Sequence, residues 1–242
     1  MSDLKERLIV ALDVPDMTSL EKLVIELGDS AVYYKVGMEL FYACAHQVLT
    51  FLKRHDKKIF LDLKLHDIPN TVASSMAALT TLGVDMVNVH AIGGMPMMKA
   101  AVEAIHNKAA ELKVTPPKLI AVTVLTSMSG QDWSELNYSE DIQTQVVHLA
   151  KLAQQAGCDG VVASPQESAA IRQACGEGFL IVTPGIRTEQ NNADDQSRIT
   201  TPATALQNGS THIVVGRPIT KAKDIKSAAE AILAQMKEGT KC

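Results

Sequence analysis

Short apolar runs alternate with longer segments whose apolar residues recur at helical spacing along the chain. Residues 8–12 are such a run, ending in Asp13, and they predict a buried strand. Leu20, Leu23, Val24 and Leu27 then share one helical face, with Asp16 or Thr18 as N-cap and Gly28 as the stop. The rhythm repeats: strands are expected at 31–36, 84–90, 118–125, 160–163, 180–182 and 213–215. Among the helices between them, one is expected over 39–54 and one from near Pro96. Another opens at Asp141 or Thr144, carries Val146, Leu149, Ala150 and Ala153 on one face, and closes at Gly157. Ser164-Pro165, Thr201-Pro202 and Gly216-Arg217-Pro218 read as further helix starts. A polar insertion runs from Thr126-Ser127 through Tyr138.

The stretch 58–71 stands apart from this rhythm. It begins as a strand at Ile59, Phe60 and Leu61, then turns polar on one side. Asp62 and Lys64 are two residues apart and so share a face of a strand, while Leu63 and Leu65 share the other. Pro69 suits the first turn of a helix running to Gly83, which leaves Asp67 in the turn.

Counting this stretch, eight strand-then-helix units follow one another with no linker and no change of composition. The expectation is α/β: a single (β/α)8 barrel spanning residues 1–242. An open doubly wound sheet is disfavoured because the first strand-to-helix turn lacks G-x-G-x-x-G. No G-x-x-x-x-G-K-[ST] loop occurs either.

Composition narrows the class. The 242 residues are 46% apolar but only 4% aromatic, so aliphatic side chains must fill the core. A net charge of −4 without a basic block argues against nucleic acid as a partner. Cys44, Cys158, Cys175 and Cys242 form no C-x-x-C pair, so neither structural zinc nor a disulfide framework is indicated. With no apolar signal core at the N-terminus and no membrane-length run, a soluble cytoplasmic protein is the expectation.

In such a barrel, chemistry collects at the C-terminal ends of the strands. Those ends carry Asp13, Lys35, then Asp62, Lys64 and Asp67, then His90, Thr126 and Ser127, Pro184 and Arg187, and finally Gly216 and Arg217. Several ends bearing Asp or Lys imply mutual pairing, since isolated buried charge is costly. Gly216-Arg217-Pro218 has the make-up of a phosphate grip: close backbone approach, a helix start and a bidentate guanidinium. The polar loop 183–198 beside it is long enough for a lid. His66 and His90 near Asp62 and Asp67 suggest a metal, but the Lys64 ammonium among the carboxylates would repel a cation, so no metal is expected. Both histidines then read as hydrogen-bonding or packing groups. Met95, Met97 and Met98 read as core or interface filler.

Asp62-Leu63-Lys64-Leu65-His66-Asp67-Ile68-Pro69-Asn70-Thr71 resembles the signature of the orotidine 5′-phosphate decarboxylase family, bacterial type. Leu12-Asp13, Lys35-Val36-Gly37, Val87-Asn88-Val89-His90-Ala91, Leu125-Thr126-Ser127-Met128, residues 182–187 and Gly216-Arg217-Pro218 match in order and spacing. The short D-x-K-x-x-D pattern is shared with related sugar-phosphate decarboxylases and synthases, whereas the extended set is specific. The resemblance implies cofactor-free decarboxylation of orotidine 5′-monophosphate to UMP, the last step of de novo pyrimidine synthesis, by a homodimer. By position it implies a charged tetrad of Lys35, Asp62 and Lys64 with Asp67 from the partner, and Lys64 as proton donor to C6. Asp13, Lys35 and the opposite subunit's Asp67 and Thr71 would hold the ribose, and Ile68 would line the pocket across the interface. Thr126 and Ser127 would lie at the pyrimidine, with Pro184 also at the substrate. Arg187 and Gln196 would belong to the lid region, Gln196 reaching phosphate and base, and Gly216 and Arg217 would bind phosphate. Two other readings are a metal-dependent relative acting on a keto-gulonate or hexulose phosphate, and a non-catalytic nucleotide-binding barrel.

Overall fold

A computed structural model describes residues 2–187 and 200–240. Its strands are β1 (Leu8–Ala11), β2 (Tyr33–Gly37), β3 (Lys58–Leu65), β4 (Met86–His90), β5 (Lys118–Val122), β6 (Gly160–Val162), β7 (Leu180–Thr183) and β8 (His212–Val215). Each pairs in parallel with the next and β8 pairs with β1, so the sheet closes into a (β/α)8 barrel. Closure leaves no unpaired edge.

The pleat sends alternate side chains into two apolar regions. Ile9, Ala11, Tyr33, Phe60, Met86, Ile120, Val182 and Val214 fill the barrel interior. Leu8, Val10, Tyr34, Val36, Ile59, Leu61, Val87 and Val89 pack outward against the helices. Both faces are dry, which is why the strands read as unbroken apolar runs.

The surrounding helices follow the predicted order, with informative differences. Asp16 caps the helix Met17–Leu27 by accepting the Ser19 N–H. Asp141 caps Ile142–Ala156 and Thr201 caps Pro202–Gln207, both accepting an N–H three residues on. The helix expected over 39–54 is two, Met38–Cys44 and His46–Arg54, broken at Ala45 with φ 46°. No glycine or proline marks that break. The polar insertion contains a helix, Gly130–Glu135, opened by a capping box between Ser129 and Asp132. Its Trp133 is buried against Tyr138 and donates to the Glu140 carbonyl. After Ser164-Pro165 the chain first turns, and the helix runs over Ser168–Cys175; the Glu167 carboxylate accepts the Ser164 N–H. The last segment is a single turn, Arg217–Thr220, followed by a separate helix, Ile225–Gly239, capped by Asp224.

The N-terminal mouth of the barrel is held by side chains that precede β4, β6 and β8. Asp85, just before β4, accepts the Ile59 N–H of β3. Asp159, just before β6, accepts the Leu119 N–H of β5. Thr211, just before β8, accepts the Ile181 N–H of β7. A short helix, Ser2–Arg7, lies at this mouth, with Glu6 paired to Lys58 and Arg7 donating to the Ser210 and Thr211 carbonyls.

β6 and β7 pair at Gly160 and Leu180, where a Cβ on the glycine would lie 2.3 Å from the Leu180 carbonyl oxygen. Backbone cannot yield there as a flexible side chain could. Gly160→Ala is therefore expected to cost about 1–3 kcal/mol, read as a fall of several degrees in thermal midpoint. An unchanged midpoint would show that the two strands separate freely.

Candidate active site

The interior changes character two residues along each of three strands. Tyr33 gives way to Lys35, Phe60 to Asp62 and Met86 to Asn88, so an apolar layer is capped by a polar one. In that polar layer Lys35 Nζ lies 3.2 Å from Asp13 Oδ1 and 3.3 Å from Asp62 Oδ2. Lys64 Nζ lies 2.8 Å from Asp62 Oδ1. Four of the predicted residues thus form one chain of alternating sign: Asp13, Lys35, Asp62, Lys64. The central pair is nearly closed off, with side-chain exposures of 13% for Lys35 and 9% for Asp62, whereas Asp13 is 60% exposed.

Burial opposes ionisation of both central groups. For Asp62 it is outweighed by the Lys35 and Lys64 ammoniums and by hydrogen bonds from Lys64 and Asn88, so the carboxyl is held below its ordinary range. For Lys35 it is outweighed by Asp62 and Asp13, and the ammonium is held charged beyond its ordinary range. Neither charge would persist there without the other.

Gly37 belongs to this arrangement. A Cβ at that position would lie 3.1 Å from Lys35 Nζ and 3.6 Å from Asp13 Oδ1, so the absence of a side chain leaves room for the pair. Gly216 plays a similar part just after β8, where a Cβ would meet Asp13 Oδ2 at 3.4 Å.

Asp62 and Lys64 share a side, as expected from their spacing, but the route differs from a plain pleat. The register between β3 and β4 shifts between Leu61 and Leu65, and Lys64 adopts φ 53°. A bulge therefore aims the lysine. Asn88 was missed by reading strand ends alone. It is 1% exposed and donates to Asp62 Oδ1 at 2.7 Å while accepting the Lys64 N–H at 2.8 Å. A lone amide inside the apolar run of β4 was the available signal.

A cavity of about 190 Å³ opens beside these charges. Lys35, Asp62 and Lys64 form one wall, Phe60, Val162 and Val214 contribute apolar surface, and Thr126 and Pro184 also line it. Ser127, Arg187 and Arg217 are not among the described residues lining this cavity. Arg187 is buried, and its backbone joins Thr200 across the base of the long loop. Arg217 opens the turn after β8 beside Gly216. Most of the predicted lid, and Gln196 with it, lies outside the described residues. Asp67, Ile68 and Thr71 sit on an exposed edge where β3 passes into the helix Pro69–Thr81. The Asp67 carboxylate accepts the Ile68 N–H at 2.6 Å and takes part in none of the ion pairs among the described residues.

The family described as "Orotidine 5′-phosphate decarboxylase / HUMPS family" matches residues 6–232. The chain belongs to that family. It is 49% identical over 233 residues to an orotidine 5′-phosphate decarboxylase of Moorella thermoacetica, covering 96% of this chain and 92% of the relative. A Streptococcus pneumoniae protein of the same name is 48% identical over 230 residues, covering 94% and 95%. The crystal structure of the Lactobacillus acidophilus orotidine 5′-phosphate decarboxylase superposes with a TM-score of 0.84 at 44% identity, covering 95% of this chain and 98% of that one. Among the described residues of this family member, no group of three or more His, Cys, Asp or Glu side chains is arranged to hold a metal, and no helix is long and apolar enough to cross a membrane.

His90 ends β4 with its ring 5.6 Å from that of His66. Burial, and then electrostatic repulsion from the His66 and Lys64 side, hold its pKa below the ordinary 6.5, with Asp62 opposing. A base with a depressed folded pKa stabilises the fold above its unfolded pKa and loses that contribution as pH falls. Thermal stability should therefore drop between about pH 7 and 5, and His90→Gln should flatten the slope. A slope identical in both proteins would remove His90 as its source.

Proposed function

We propose that this chain decarboxylates orotidine 5′-monophosphate to UMP, serving de novo pyrimidine synthesis, and that it does so without a cofactor. The observation that carries the reading is the Lys64 ammonium, 2.8 Å from Asp62, at the wall of a partly apolar cavity in a member of this family.

The C6–carboxylate bond breaks heterolytically, CO2 departs, and the electron pair remains on C6. That carbanion has no carbonyl placed to delocalise it simply. A fixed ammonium beside C6 stabilises it electrostatically, in a site whose dipoles are already oriented. Lys64 then delivers its proton to C6 and regains one from solvent. The Asp62 carboxylate, 2.8 Å away, holds the ammonium in place until that step. It also faces the departing carboxylate, and the apolar wall suits neutral CO2 better than an anion. Asp13 and Lys35 hold the ribose, Thr126, Ser127 and Pro184 lie at the base, and Gly216 and Arg217 grip the phosphate. Arg187 anchors the loop that closes over it. Phosphate binding remote from C6 thereby contributes to the barrier at C6.

The working unit is a homodimer in which Asp67, Ile68 and Thr71 complete the neighbouring site. Two features support this. Asp67 makes no ion pair within its own chain among the described residues. Three successive strand ends also carry exposed apolar side chains: Met38 after β2, Ile68 after β3 and Ile92 after β4.

Loss of orotidylate absorbance, followed in EDTA with purified protein, tests the reaction directly. Lys64→Ala should lower kcat by on the order of 10⁴-fold or more, with UMP binding largely kept. Arg217→Ala should raise KM by roughly 10- to 100-fold. No turnover in EDTA with recovery on adding Mg2+, or near-normal turnover by Lys64→Ala, would falsify the mechanism.

The shared site makes a second demand. Lys64→Ala and Asp67→Asn subunits should each be inactive alone, but a mixed dimer would hold one intact site. Re-association of an equal mixture should restore roughly a quarter of the wild-type sites. A mixture no more active than its components would place Asp67 in its own subunit's site.

A further inference from the structure

Asn88 touches both members of the Lys64–Asp62 pair, and neither contact is with a side chain outside that pair. It lies mid-strand in β4, where Val87 and Val89 pack outward against the helices and Met86 packs inside the barrel. Its Oδ1 accepts the Lys64 N–H at 2.8 Å, and its Nδ2 donates to Asp62 Oδ1 at 2.7 Å. The same Asp62 oxygen receives the Lys64 ammonium at 2.8 Å, which closes a ring of three contacts.

The backbone explains why an amide is needed. At Lys64 the chain enters the left-handed region, φ 53°, where a residue bearing Cβ is disfavoured. The β3–β4 register is interrupted there, so the ladder does not supply the usual acceptor for the Lys64 N–H. A buried N–H without an acceptor is costly. Asn88 supplies the acceptor from the adjacent strand and, with its other end, turns the Asp62 carboxylate toward the ammonium. Aspartate at this position would keep the acceptor but set an oxygen against Asp62. An apolar residue would serve neither partner.

We propose that Asn88 is a positioning residue: its side-chain amide clasps the β3 bulge in the conformation that brings the Lys64 ammonium onto Asp62. This rests on the decarboxylase reading and deepens it. The clasp sets how accurately the proton donor meets C6, so its loss falls on the chemical step more than on binding.

Two variants and two readouts test it. In Asn88→Ala, exchange of the Lys64 amide with solvent, followed by NMR, should quicken by at least about 10-fold. kcat per UMP-titrated site should fall by roughly 10- to 100-fold, with UMP affinity close to wild type. In Asn88→Asp, the Lys64 amide stays protected, but the acid limb of kcat/KM moves to higher pH because a second carboxylate beside Asp62 raises the pair's pKa. A purely structural role would lower thermal stability while leaving kcat per titrated site alone, and that result overturns the proposal. So does a Lys64 amide as protected in Asn88→Ala as in wild type. Should Asn88→Ala fail to fold, Asn88→Asp decides at a pH above its acid limb: a lowered kcat per UMP-titrated site with the Lys64 amide still protected supports the clasp, because only the donor to Asp62 is lost, and an unchanged kcat rejects it. Wild-type protein that releases no CO2 would refute the decarboxylase reading alone, since amide exchange still reports on the clasp.

Discussion

One carboxylate shared between two lysines governs this molecule. Asp62 takes Lys35 on one oxygen and Lys64 on the other, in a part of the barrel from which water is largely excluded. Burial alone would neutralise it, and the paired ammoniums are what keep it ionised. The dependence is mutual, because Lys35 is itself held charged by Asp62 and Asp13. Removing Asp62 leaves the buried Lys35 with only the exposed Asp13 as partner, which destabilises more than the pair itself stabilises. The groups suited to chemistry are therefore also structural members of the barrel.

The barrel makes that arrangement possible by stacking layers. Tyr33, Phe60 and Met86 seal the interior beneath, and the residues two steps on, Lys35, Asp62 and Asn88, present polar groups above the seal. Parallel strands bring these side chains into contact through Asp62, at the end where connecting loops reach a ligand. Gly37 and Gly216 leave that end open around Asp13. Electrostatics and packing act here on the same few ångströms.

Much of this was legible in the sequence because two periodicities carry it. Unbroken apolar runs separated by helical stripes mean a parallel sheet dry on both faces, and eight of them closed as expected. Asp13, Lys35, Asp62 and Lys64 stood out because charge at a strand end needs a partner. What stayed hidden lies in backbone geometry. Lysine carries no mark of a left-handed φ, so the bulge at Lys64 was invisible, and so was the reason for Asn88. Ala45 breaks a helix without a breaker residue. Ser129 and Asp132 spelled a helix start inside a segment dismissed as polar insertion. Asp67 stood out as a charge at a strand end, Ile68 and Thr71 were picked out by resemblance, and within one chain all three are exposed.

The side chains at the opposite mouth have a consequence of their own. Asp85, Asp159 and Thr211 tie β4 to β3, β6 to β5 and β8 to β7. No such tie spans β4 to β5 or β6 to β7 among the described residues. Six of the eight strands, β3 to β8, are thus stitched in twos. A polypeptide divided after β4 keeps each stitch within a single fragment, whereas division between β3 and β4 separates Ile59 from Asp85 and also Lys64 from Asn88. Fragment pairs of the first kind carry their own fastenings into reassembly; those of the second must rebuild a fastening and the proton donor's seat in the same encounter.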